Sequence, residues 1–196
     1  MRALLIPLAL AGFCQATQAG EISSAYTDLD SKKDCVTYAQ AAEGDGDWAS
    51  LVCSGYRGYP VLIGYDNARE SVYYGFPSDD MTSVWESFTA FNGSGPKVEW
   101  RIETNGDVAV PFAAIHRRSV SNPEDEEKSI EVLVVAKVAQ PEEHQGCTIG
   151  LVLATGNPQA NDQARKLADD KAKTFACGKD KREVIGEVPP FGRVDN

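Results

Sequence analysis

Histidine and positive charge are both scarce in this chain. It holds two histidines, His116 and His144, and 19 Lys and Arg against 29 Asp and Glu, a net charge of −10. Two imidazoles are too few for a His-built metal site. The negative balance excludes a general nucleic-acid binder, because neutralising phosphates takes a basic surface. No Gly-x-Ser-x-Gly, His-Glu-x-x-His, P-loop or dinucleotide fingerprint occurs, and Gly93-Ser94-Gly95 lacks the spacing of the first. No Cys-x-x-Cys is present, so the usual signature of zinc or thioredoxin-like chemistry is missing too. The sequence therefore calls for no metal and no cofactor. What remains is a chain of 196 residues, 42 % hydrophobic and 9 % aromatic. That is too apolar for global disorder and the length of one ordinary domain.

The N-terminus reads as an export signal. Arg2 is its positive end, Ala3 to Phe13 its apolar stretch, and Thr17 and Ala19 the small residues before a cleavage at Gly20. Eleven apolar residues fall short of the roughly 20 needed to span a bilayer, and no later stretch is longer. Bulky Phe13 ahead of Cys14 argues against a lipidated cysteine, so Cys14 is expected to leave with the signal. Removing the first 19 of 196 residues leaves 177, and losing Arg2 takes the charge from −10 to −11. The expected organisation is a signal at 1–19, one β-rich domain at 20–178 and a flexible tail at 179–196, with Pro189-Pro190 in it. The expected location is periplasmic or secreted, with no membrane-spanning segment.

Four cysteines remain, and an even count in an exported chain predicts two disulfides. Cys35–Gln40 and Trp48–Cys53 read as two strands around the turn-rich Glu43-Gly-Asp-Gly-Asp47. A hairpin centred on Gly44 sets Cys35 opposite Cys53, at a Cα separation of about 4.5–5.5 Å, within the disulfide range. The second pair follows from lengths. A strand from Cys147 to Ala154 runs out about 23 Å at ~3.3 Å per residue. A helix over 158–175 runs back about 27 Å at 1.5 Å per residue, starting from Asn157 as N-cap and Pro158 at the first helical position. Cys177 thus returns to Cys147.

Further strands are expected over 59–65, 69–76, 97–103, 108–118, 130–138 and 148–154. Lys97–Glu103 alternates strictly before Asn105-Gly106, a favoured hairpin turn. Residues 77–96 read as a long loop or short helical turn, 119–128 as a polar connection. The helix carries one apolar stripe, Ala160, Ala164, Leu167, Ala168, Ala172 and Phe175, against a charged opposite face. Short turns between strands and no intervening helix imply antiparallel pairing. The expected class is α+β: about eight strands in an antiparallel meander, as sheet, barrel or sandwich, with one C-terminal helix packed on it and two disulfides.

Candidate chemistry is sparse. Trp100, Arg101, His116 and Arg118 lie on paired strands and could form a local basic and aromatic binding patch. The plainer reading is pairing of these cations with Glu99, Glu103 and Glu131 across strands. His116 with one of those carboxylates is the one conceivable general base. His144, in a turn, reads as solvated. Asn92-Gly93-Ser94 is a formal glycosylation sequon but reads as a Gly-rich loop. The acidic run Glu124–Glu127 lacks the alternating oxygens of a calcium loop. Tyr56, Tyr59, Tyr65, Tyr73 and Tyr74, with Trp48, Trp85 and Trp100, offer a platform for carbohydrate or peptide, against the commoner core or cross-strand role.

Several stretches carry a resemblance: Ser24–Asp30 ahead of Cys35, Gly58-Tyr-Pro-Val61, Phe91-Asn92 with Gly95-Pro96, Glu99-Trp-Arg101, Val132–Val135, and Asn157-Pro158 with Ala160-Asn161 before Ala164-Arg165. In these the chain resembles a group of small exported proteins of Gram-negative bacteria that has no established activity. The resemblance spans most of the mature chain. It implies a periplasmic location and a single domain, and it transfers no site residue.

The leading functional expectation is a non-enzymatic binding or interaction protein for an unknown protein or small molecule. One concrete version is inhibitor-like, of the lysozyme-inhibitor kind, where the negative charge steers a basic partner. A small hydrolase built on His116 and a structural envelope component are the competing classes.

Overall fold

The computed structural model describes residues 20–78 and 84–194. The expected export signal at 1–19 lies outside these residues. Among them twelve strands form: β1 (Glu21–Asp28), β2 (Cys35–Gln40), β3 (Trp48–Cys53), β4 (Val61–Asp66), β5 (Arg69–Tyr74), β6 (Trp85–Phe88), β7 (Asn92–Asn105), β8 (Val108–Asn122), β9 (Asp125–Lys137), β10 (Cys147–Leu153), β11 (Glu183–Ile185) and β12 (Phe191–Val194). One α-helix, α1, covers Ala160–Lys171.

The strands make three sheets. Six pair in the order β1-β7-β8-β9-β10-β11, four in the order β2-β3-β4-β5, and β6 pairs with β12. This is α+β and mostly antiparallel, as the short turns between strands predict, but it has more than eight strands and is not one meander. The hairpins β7–β8–β9 are its spine. Each strand is 13 residues or longer, because the supposed polar connection 119–128 is itself strand up to a tight turn. Gly93, Gly95 and Pro96 also lie inside β7, where the ladder to β8 is interrupted between Ser94 and Val98. A proline cannot donate to a ladder, and a bulge is where a strand tolerates one.

The helix packs one face of the six-stranded sheet. Its stripe of Ala160, Ala164, Leu167 and Ala168 is buried with Phe112, Ile115, Leu133, Val135, Ile149 and Val152. Gly150 makes this approach possible. A Cβ there would sit 2.5 Å from a Leu167 methyl and 3.0 Å from the Glu183 carbonyl oxygen. The regular helix starts at Ala160, two residues later than expected, after one turn in which the Asn157 side-chain oxygen accepts the Gln159 N–H and its carbonyl accepts the Ala160 N–H.

The other face of that sheet is covered twice. The four-stranded sheet closes over Val98, Trp100, Ile102 and Ala114. The β6–β12 ribbon closes over Val120, Val132, Val134 and Leu151, with Phe88 edge-on to Phe191 at 4.9 Å.

Both disulfides form as the geometry predicts, Cys35–Cys53 and Cys147–Cys177, with Cα separations of 3.9 and 5.8 Å. Cys35 faces Cys53 directly, and a bulge between Thr37 and Ala39 shifts the register nearer the turn.

The C-terminal stretch differs from its expectation. Instead of a loose tail, 183–185 pair in parallel with Gly150–Val152, and 191–194 pair with Trp85–Phe88. The parallel pair corrects the all-antiparallel reading as well. Strand β10, helix α1 and strand β11 make a crossover unit, which is how a parallel neighbour is reached. A three-residue strand of mixed polarity gives no periodic signal, so only the edge of β10 recruits it.

Candidate functional site

The four residues singled out by the sequence are all buried, and they do not share a surface. Residues along β7 alternate faces. Trp100 points between the sheets, fully buried, and donates its indole N–H to the Thr27 hydroxyl at 2.9 Å. Arg101 points the other way, to the helix.

There Arg101 is one rung of an ion-pair ladder. Arg165 meets Glu99 at 2.7 Å, Arg101 meets Asp169 through two bonds of 2.7 and 2.8 Å, and Lys173 meets Glu103 at 2.8 Å. Two strand residues advance about 6.7 Å and four helix residues about 6 Å, so the rungs stay in step. The signs alternate along both elements, and a slip by one rung would set like charges together. Burial alone would raise the Glu99 carboxyl, but hydrogen bonds from Arg165 and Ser24 outweigh it and hold it below the usual value. The cations thus pair between layers rather than across strands. Cross-strand ion pairs also occur, at Arg117 near Glu131 at 3.8 Å, Lys97 with Asp28 and Arg69 with Asp66.

Removing the central rung should be costly, since Arg101 is nearly buried. Asp169→Ala is expected to lower unfolding free energy by about 1.5–3 kcal/mol, the scale of a hydrogen bond to a charged group. Urea unfolding reads it, and a loss below about 0.5 kcal/mol would mean the rung is a solvated surface pair.

His116 and Arg118 sit between the sheets, along the seam where the four-stranded sheet meets the β6–β12 ribbon. His116 Nε2 lies 2.7 Å from the Gly95 carbonyl oxygen, and Nδ1 lies 2.7 Å from the Tyr74 hydroxyl. A carbonyl only accepts, so Nε2 carries the proton and Tyr74 donates to Nδ1. Burial, and then the Arg118 charge, push His116 down to about 3. Burial likewise pushes the Tyr74 hydroxyl up. Neither ring nitrogen is free to take a substrate proton, and the expected carboxylate partner is not bonded to it.

Arg118 donates to Asn92 Oδ1 at 2.6 Å and to the Glu70 carbonyl at 2.9 Å, with a Glu70 carboxylate oxygen at 3.5 Å. Asn92 spends its amide on Ser87 and Ala90. The sequon asparagine is therefore buried in this network on β7, not displayed on a loop. Glu70 holds Ser94 by both hydroxyl and N–H, at 2.6 and 2.7 Å. The Ser87 hydroxyl on β6 donates to the Glu70 carbonyl on β5 at 2.8 Å, tying one cover of the sheet to the other, and Arg118 Nε alone is buried with no partner among the described residues.

Exposed apolar side chains are scattered over several elements, Tyr26, Phe91, Val108, Val184 and Val194 among them, but three come from one place. Val36, Tyr38 and Trp48 are 67 %, 48 % and 40 % exposed, and all three belong to the β2–β3 hairpin. Strand β2 is the edge of its sheet, which explains why its outward residues lack cover. Trp48 is paired in register with Asp66, and the adjoining turn carries Glu43, Asp45 and Asp47, all exposed. Between Cys35 and Asp66 the only cation is Arg57. It lies beyond Cys53, at the far end of a six-residue strand, about 17–20 Å away. The hairpin tip is thus a small aromatic surface ringed by carboxylates. Sequence reading named Trp48 only as one aromatic of many. The signal that marks it is its position beside the turn of an edge hairpin.

No protein-family model, no curated protein and no solved structure matches this chain.

Proposed function

We propose that this is an exported, non-enzymatic interaction protein that meets a basic protein partner through the tip of the β2–β3 hairpin. One observation carries the reading: Trp48, exposed on a disulfide-stapled hairpin, shares its end of the sheet with Glu43, Asp45, Asp47 and Asp66, the last of these 3.5 Å from Arg69. Exposed Trp and Tyr are the residues most enriched at binding hot spots. Carboxylates around them steer a cationic surface into place. The disulfide Cys35–Cys53 holds the hairpin's open end, so little ordering is needed on binding. Two disulfides and the negative balance agree with a periplasmic or secreted setting. The interior placement of His116, Arg101 and Arg118 supports a role for them in the fold rather than in chemistry.

Binding of several lysozymes, as basic exported partners, tests this by calorimetry and by activity assay. The expected result is micromolar or tighter binding that weakens with salt. Trp48→Ala is expected to weaken it at least thirtyfold, the hot-spot scale of about 2 kcal/mol. Absence of binding at micromolar concentration, or indifference to Trp48→Ala, overturns the proposal.

A further inference from the structure

The three sheets end on edge strands, and all but one of these carry charge. β1 holds Glu21 and Asp28, β5 Glu70, β6 Glu86, β11 Glu183 and β12 Arg193. Strand β2 reads Cys-Val-Thr-Tyr-Ala-Gln, with no charge and no proline. No described strand pairs with its outer side. Charges, prolines and bulges are what keep an edge strand from pairing with another chain. Of these, β2 has only the bulge between Thr37 and Ala39.

The edge also presents its backbone. The Ser54 N–H donates to the Asp34 carbonyl at 2.9 Å, and the next pair, Cys35 and Cys53, stands with Cα atoms 3.9 Å apart. Closely opposed residues are the non-bonded pairs of an antiparallel ladder. Cys35 and, two residues on, Thr37 therefore direct N–H and C=O away from β3. Val36 and Tyr38, both exposed, flank Thr37.

The occupant that fits this edge is a second copy of the chain. Placing Thr37 on a two-fold axis pairs two β2 strands antiparallel. Thr37 then meets Thr37, and Val36 of each copy meets Tyr38 of the other. Thr–Thr and aromatic–β-branched pairs both stabilise neighbouring strands. Such a contact is self-complementary and closes at two copies.

Charge selects the same direction. Exposed Glu43, Asp45 and Asp47 follow β2 in the hairpin turn. Exposed Lys32 and Lys33 precede it, in a turn where Lys33 pairs with Asp30 at 3.0 Å and Asp34 accepts the Asp30 N–H. Parallel pairing would bring two acidic turns together. Antiparallel pairing parts them and sets each beside the other copy's lysine-bearing turn.

We infer that β2 is a homodimer edge, where two copies pair antiparallel and their four-stranded sheets become one continuous sheet. The contact uses the side of the hairpin, not Trp48 at its tip, and stands or falls without the basic partner proposed above.

The test is sedimentation equilibrium of the mature chain, both disulfides intact, from about 1 to 500 µM. A six-residue strand pair is a small interface, so a weak dimer that grows with concentration is expected. Amide hydrogen exchange should show the Thr37 N–H gaining protection over the same range. Thr37→Lys changes an exposed side chain, sets like charges on the axis and is expected to weaken the dimer at least about tenfold. Trp48→Ala is expected to leave it unchanged. Four results overturn the inference. A monomer at every concentration leaves the edge to a different chain. A dimer lost with Trp48→Ala moves self-association to the tip. A dimer indifferent to Thr37→Lys, or one in which the Thr37 amide stays unprotected, forms through another surface.

Discussion

Trp100→Ala is expected to lower the unfolding free energy by about 3–5 kcal/mol, the range for truncating a buried large aromatic. The size follows from position. Trp100 has no exposed surface and lies centrally between the six- and four-stranded sheets. Its ring meets Tyr74 edge-on at 6.0 Å and tilts toward Tyr56 at 6.4 Å. It also packs against the backbone at Gly55, where a Cβ would come within 2.9 Å of the indole. Strands on both sides are pinned by ladders, so the cavity cannot collapse fully. Trp100→Phe is expected to recover most of the loss, because only the Thr27 bond and part of the ring go. Urea unfolding measures both variants. A loss below about 1.5 kcal/mol for alanine would show that the sheets close over the gap.

Acid should weaken this protein through a single imidazole before its carboxylates titrate. His116 is held at about 3, against an ordinary value of 6.5. Between those values the unfolded chain binds a proton that the folded chain refuses. Stability from this group is therefore full above about pH 6.5 and falls as pH drops from 6.5 toward 3. The slope approaches 1.4 kcal/mol per pH unit, giving a loss of about 2 kcal/mol between pH 7 and 5 and about 3 by pH 4. The cause is geometric. Protonating Nδ1 would face it with the Tyr74 O–H that now donates to it, beside the Arg118 charge and away from water. His116→Gln is expected to flatten the profile between pH 7 and 5, even where it lowers stability at pH 7. Equal pH slopes for the two proteins in urea unfolding would assign the acid sensitivity to other groups.

Several features were legible because they are local. The turn between Gln40 and Trp48 fixes which residues of one hairpin face each other, so Cys35 and Cys53 meet. A strand and a helix of comparable length return the chain to its start, so Cys147 and Cys177 meet. The 3.6-residue period of Ala160, Ala164, Leu167 and Ala168 marks the buried stripe before any partner is known. Strand Lys97–Glu103 announced its two faces by alternation, with Trp100 on one and Arg101 on the other.

What escaped was decided at a distance. Alternation separates two faces but does not say what covers each. The basic patch drawn around Arg101, His116 and Arg118 proved to be two interiors, because a helix covers one face and a second sheet the other. Glu99, Arg101 and Glu103 found partners 66 to 70 residues later, on and just beyond α1. Likewise, 183–185 and 191–194 have too little periodic signal to be strands alone, and became strands where β10 and β6 offered open edges. The sequence by itself determined the hairpins, the helix face and the disulfide pairing, since short-range hydrogen bonding and periodicity set these. Tertiary structure alone decided which charged residues are interior, where the tail docks and which aromatics stay exposed, since each depends on burial by elements far apart in the chain.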